Sequence, residues 1–191
     1  VTCGGAGKDY HNDPNAVLGH KYVSTQYDAT CLEQGMTVHK CQRCPGYYID
    51  NQPPALGHGT YIHGFCQACD GYEPAVRNGD VYEIYNAGQL YWFAHWAQSG
   101  NTAINGKLMA DIVINENVLT ADGQLNGNGS NFRKWTPIGN DERRYTGTFD
   151  GNGKTISGLN VTVTRNGGGF FGEVRLGTVE DFTIYGEVKL N

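Results

Sequence analysis

Cysteine is missing from the last 122 residues of this 191-residue chain; Cys3, Cys31, Cys41, Cys44, Cys66 and Cys69 all fall in the first 69. Disulfides or thiolate-bound metals can therefore staple only the amino-terminal part. Charge is also scarce: Asp, Glu, Lys and Arg make up 17 % of the chain, against about 25 % in an average domain. A net charge of -5 argues against nucleic acid, whose phosphates call for clustered Lys and Arg. No apolar run approaches the roughly 20 residues that span a bilayer, so membrane insertion is not expected. Signatures of catalysis are missing as well. There is no His-Glu-x-x-His, no Gly-x-Ser-x-Gly and no Walker loop. Asp111, Asp150, Glu180 and Asp181 form no recognisable acid/base pair. Asp150-Gly-Asn152-Gly-Lys154 opens like a calcium loop but lacks the Gly at position six and the Glu at position twelve. The expectation is a protein that is not an enzyme.

What is abundant is glycine, with 28 residues, about twice the usual share of roughly 7 %. Together with many Thr, Asn and Tyr it points to short strands joined by tight turns. Val1 is not a natural start, so the chain reads as processed or as a piece of something longer. Pro74, Asn78 and Gly79 mark a junction, which divides the chain into residues 1–75 and 76–191.

Residues 1–75 read as irregular, Cys/His-rich, zinc-ribbon-like repeats. Leu18-Gly19-His20 and Leu56-Gly57-His58 are each followed by cysteines: Cys31 and the pair Cys41/Cys44 after the first, Cys66/Cys69 after the second. A CxxC turn places two thiolates on one tetrahedral metal. Six cysteines and the two triplet histidines make eight candidate ligands, or two sets of four. One set is His20, Cys31, Cys41 and Cys44. The other is His58, Cys66 and Cys69, completed by Cys3. His58 could instead serve the first set, and His63 could replace Cys3 in the second. His11 and His39 read as solvated loop residues. Closed four-ligand zinc sites are structural, and a short loop-rich region needs such staples. Three disulfides are the alternative.

Residues 76–191 read as mostly β. Val81–Tyr85 alternates as a strand. A helix follows over 87–99, with Asn86 as N-cap, Gln89 three residues on and Gly100 as the stop. Leu90, Phe93, Ala94 and Ala97 share its buried face. Short strands come next at Lys107–Ile114 and Tyr145–Phe149, separated by a Gly/Asn-rich loop over 120–135, and Asp150-Gly-Asn-Gly153 reads as a turn. Thr155–Val161 aligns with Thr178–Ile184 at an offset of 23 residues, matching Ile156, Leu159 and Val161 with Val179, Phe182 and Ile184. Repeats of 20 to 30 residues with Gly turns are a solenoid signature. The expected fold is a right-handed parallel β-helix, capped at its amino-terminal end by the helix and continuing beyond the carboxyl terminus.

Five stretches together are similar to the GLUG-type repeat region of large bacterial surface proteins: Ala87–Ala94, Leu108–Ile112, Trp135–Gly139, Tyr145–Leu159 and Gly169-Phe-Phe-Gly172. Phe170 stands where that motif usually has Leu. The Leu-Gly-His and CxxC units resemble short repeats in surface proteins of gut Firmicutes. The resemblance implies a β-helical stalk or adhesive region, sometimes attached to an IgA-cleaving metalloprotease, and supplies no catalytic residues. The expected function is a non-catalytic structural or adhesive module, extracellular and either secreted or surface-anchored. A head-to-tail fibre subunit is the alternative, and an ancillary domain of a secreted carbohydrate-active enzyme or peptidase is the third reading. Expected partners are further coils of the same chain, other copies of it, or a host glycan or protein.

Overall fold

A computed structural model describes residues 20–163 and 168–190. The chain divides into two compact units. One takes the residues up to Thr60 together with Gln67–Cys69. The other takes Tyr61–Cys66 and everything from Asp70 onward.

The first unit is built on a three-stranded antiparallel sheet in the order β1 (Tyr22–Tyr27), β2 (Met36–Cys41), β3 (Tyr47–Asp50). Tyr, Thr, Val and Ile favour this pleated backbone. Ser24 stands opposite His39, and His39 opposite Tyr48. Burial contributes little, since every residue of β1 and β3 is exposed. Between β1 and β2 the chain is turned by Thr30, whose hydroxyl accepts the Glu33 N–H at 3.0 Å.

The second unit begins with the hairpin β4 (Tyr61–Ile62) and β5 (Phe65–Cys66). There follow β6 (Val76–Asn78), β7 (Val81–Ile84), helix α1 (Ala87–Gln98), β8 (Asn105–Leu108), β9 (Ile112–Val113), β10 (Thr148–Val163) and β11 (Thr178–Leu190). These strands form one sheet in the order β11-β10-β8-β7-β6, with β9 also beside β10. β6 and β7 are antiparallel and the remaining pairs are parallel.

The expected right-handed parallel β-helix does not form. A mixed six-stranded sheet with one helix stands in its place, accompanied by the two small antiparallel sheets. The reason lies in β10. Asp150-Gly-Asn-Gly153, read as a turn, is absorbed into a single 16-residue strand. Asn152 and Gly153 adopt φ of 51° and 68°, and the register slips between Asp150 and Lys154. A chain that does not turn there closes no coil. The 23-residue repeat is not the pairing register either. Thr148 faces Thr178, Ile156 faces Ile184 and Leu159 faces Gly186, which are offsets of 30, 28 and 27 residues. Two irregularities take up the difference, and Phe182 pairs with Lys154 rather than with Leu159.

The helix forms where the sequence places it. The Asn86 side chain accepts the Gln89 N–H at 2.9 Å. Gln89 reaches back one residue further than in an ordinary capping box, accepting the Tyr85 N–H at 2.7 Å. Its apolar face covers the sheet, not the end of a stack. Ile84, Leu90, Phe93, Leu108, Phe149 and Ile156 are fully buried together. Phe93 meets Phe149 and Tyr145 edge-on at 5.6 and 6.3 Å. Gly106 makes room for this: a Cβ there would come within 2.8 Å of the Phe93 ring. The buried aromatics with polar handles are satisfied. Tyr145 donates to Ile104 O at 2.7 Å and Trp135 Nε1 to Phe170 O at 3.0 Å. Burial holds the Tyr145 phenol well above its ordinary range.

Phe93→Asp should destabilise this unit by at least about 3 kcal/mol, because it buries an unpaired charge. Denaturant unfolding followed by tryptophan fluorescence measures this, and a variant as stable as the parent would remove Phe93 from the core.

Candidate metal centres

Two groups of sulfur and nitrogen side chains come together in the described residues. In each, the candidate ligand atoms lie within 4.8 Å of one another: His20, Cys41 and Cys44 in one, Cys31, His58, Cys66 and Cys69 in the other. None of Cys31, Cys41, Cys44, Cys66 and Cys69 is in a disulfide.

The same local structure builds both. Cys41 closes β2 and Cys66 closes β5. After each, the chain turns back so that the Cys N–H donates to the carbonyl five residues on: Cys41 to Gly46 at 2.9 Å, Cys66 to Gly71 at 2.8 Å. The turn brings the second cysteine of each CxxC round towards a histidine. Cys44 Sγ lies 3.5 Å from His20 Nδ1, and Cys69 Sγ lies 3.4 Å from His58 Nδ1. A tetrahedral zinc with Zn–S of about 2.3 Å and Zn–N of about 2.0 Å sets its nitrogen and sulfur ligands roughly 3.5 Å apart. Both spacings fit that edge. Gly46 packs closely on this pair: a Cβ there would come within 3.3 Å of Cys44 Sγ and 3.5 Å of His20 Cε1.

Around the first group, the Arg43 N–H donates to Cys41 Sγ at 3.4 Å, and the His20 ring stacks on Tyr22 at 5.2 Å. Burial pushes the Cys41 thiol up, but hydrogen bonds from the Arg43 backbone, His20, the Lys21 backbone and Cys44 outweigh it. The thiol falls from 9.0 to about 6. At neutral pH it is mostly thiolate, the form that binds metal. In the second group, Cys31 and Cys66 are buried while Cys69 is exposed. His58 is brought beside Cys31 by two backbone bonds just before it, Leu56 N to Thr30 O and Gly57 N to Cys31 O.

Cys31 stands with His58, Cys66 and Cys69, not with His20 as its place in the sequence suggests. Cys3 and His11 lie outside the described residues. His63 sits on the β4–β5 turn with φ of 50° and in neither group. His39 is no solvated loop residue. It occupies the middle of β2, with Nδ1 2.7 Å from Ser24 Oγ and Nε2 donating to Asp50 Oδ1 at 2.8 Å, and its ring stacks on Tyr48 at 4.3 Å. Ser24 and Tyr48 stand opposite His39, and Asp50 lies two residues along, opposite Thr37, so these contacts tie together all three strands of a sheet that buries little. The repeated stretch Cys41-Gln-Arg-Cys-Pro-Gly-Tyr47 and Cys66-Gln-Ala-Cys-Asp-Gly-Tyr72 is the signal that pairs the two turns, glycine included.

No known protein family, curated protein or solved structure matches the chain. Among the described residues no helix is long and apolar enough to cross a membrane.

Two outcomes follow from this geometry. A thiol whose pKa is lowered by folding stabilises the fold above its unfolded value and gives that stability up as pH falls towards the folded value. Metal-free protein should therefore lose stability in the first unit as pH drops from 9 to about 6, and Cys41→Ser should flatten that slope in denaturant titrations. His39→Ala, which removes the clamp, should cost about 1 kcal/mol in the same assay, with the second unit unaffected.

Proposed function

We propose that this chain is a non-catalytic, extracellular structural or adhesive module whose Cys/His-rich amino-terminal region is stapled by two zinc ions. The observation that carries this reading is the pair of Cys/His groups built on one repeated turn, with His-to-Cys spacings that suit a tetrahedral metal. Mixed thiolate and imidazole donors favour zinc over the oxygen-seeking cations. Cys31, His58, Cys66 and Cys69 make a four-ligand set, and such a closed set holds a protein together instead of activating water. A structural zinc contributes on the order of 10 kcal/mol to folding at neutral pH. A sheet whose outer strands are exposed throughout has need of it.

The extracellular and adhesive part of the reading rests on sequence. Low charge, abundant Gly, Asn and Thr, and the resemblance of residues 81–191 to bacterial surface proteins support it. It is the wording of those segments that carries the likeness.

Elemental analysis of the purified chain should find two zinc ions per chain. Cys44→Ser and Cys69→Ser should each lower the count to one, and removal of both ions by chelator should melt the three-stranded amino-terminal sheet while the β signal of the six-stranded sheet persists. Intact disulfides by mass spectrometry, with no bound metal, would overturn the zinc reading.

A further inference from the structure

On the second unit's sheet, Val113, Ser157 and Tyr185 are neighbours on β9, β10 and β11, at one level of the ladder. Val113 and Tyr185 are 53 % and 62 % exposed, so this row faces solvent. The segment 115–119 stands beside it and completes a groove of about 330 Å³. That segment is pinned at Asn115, whose side chain accepts the Arg133 N–H at 2.7 Å and donates to Arg133 O and Gly158 O at 2.9 Å. By contrast, the side chains of Glu116, Asn117 and Tyr185 make no hydrogen bond to another described residue. The groove thus offers one flat aromatic ring, aliphatic wall from Val113 and Leu119, and an uncommitted carboxylate, amide and phenol along the rim.

We infer that this groove binds a neutral pyranose-containing glycan. A pyranose presents an apolar C–H face and a rim of hydroxyls, which matches a ring flanked by hydrogen-bonding groups. The charge on the groove chooses among sugars. Among the described residues that line it, Glu116 is the one that carries charge, and none is Lys, Arg or His. Uronic and sialic acids would place a carboxylate against that carboxylate, at a cost with nothing to offset it. The inference rests on the reading of the chain as an adhesive module and gives that reading a ligand.

The test uses the full zinc-loaded chain and four neutral trisaccharides, maltotriose, cellotriose, mannotriose and galactotriose, with trigalacturonate as the charged control. Titration by NMR or calorimetry should show at least one neutral sugar binding in the millimolar range or tighter and no binding of trigalacturonate. Tyr185 is exposed, so its variants fold. Tyr185→Ala should weaken binding about tenfold, the effect of removing one stacked aromatic, while Tyr185→Phe stays close to the parent. Glu116→Lys should let trigalacturonate bind. Failure of all four neutral sugars to bind, or equal binding by Tyr185→Ala, would overturn the inference and leave the zinc count untouched. Cleavage of a bound sugar that Tyr185→Ala abolishes would support the groove while overturning the non-catalytic reading.

Discussion

Six consecutive exposed residues make up β1 and four make up β3, so the amino-terminal sheet gains little from the roughly 25 cal/mol per Å² that apolar burial contributes elsewhere. Something other than a core must hold it. Its buried positions are telling: Cys31 and Cys41 are among the few apolar side chains in that unit removed from water. These two thiols occupy places where another small domain would put Leu or Ile. The Ser24–His39–Asp50 contacts tie its strands together, and the Cys/His groups are placed to add cross-links if they hold metal. Small chains that cannot bury enough surface commonly depend on such cross-links.

The second unit solves the same problem in the ordinary way. Its core is aromatic, with Phe93, Tyr145, Phe149, Trp135 and Phe170 in successive ring contacts. A core of this kind tolerates irregular backbone, and the sheet shows it. Slips in register at Asp150/Lys154 and Ser157/Leu159 leave Phe149, Ile156 and Leu159 all buried. Outward, Lys107 stands between Glu83 and Asp150 on neighbouring strands and bonds Asp150 at 2.6 Å. The Asp150 hydrogen bond raises the Lys107 pKa, and Lys107 in turn lowers that of Asp150. This cross-strand pair offsets the acidic side chains gathered on that face.

The division of labour suits an adhesive module as proposed. One unit would be rigid because metal fixes it, the other because a packed core does. The candidate glycan groove belongs to the second unit's sheet, where three strands set its floor.

What the sequence determined by itself was local. The helix is legible because Asn86 caps N–H groups that have no partner within the helix, and because Leu90, Phe93, Ala94 and Ala97 recur at helical spacing. The two CxxC turns are legible because their hydrogen bonds close within five residues. Strand registers and the partner of Cys31 were decided by tertiary structure. Cys31 is ten residues from Cys41 along the chain, yet it joins His58, Cys66 and Cys69, because the bonds from Leu56 and Gly57 fold a distant segment back onto it. Asp150-Gly-Asn-Gly153 carries every mark of a turn, and a bulge uses the same positive φ values without turning. Which of the two forms depends on whether a neighbouring strand continues alongside. Here β11 does, and that long-range pairing turned an expected coil into one long strand of a mixed sheet.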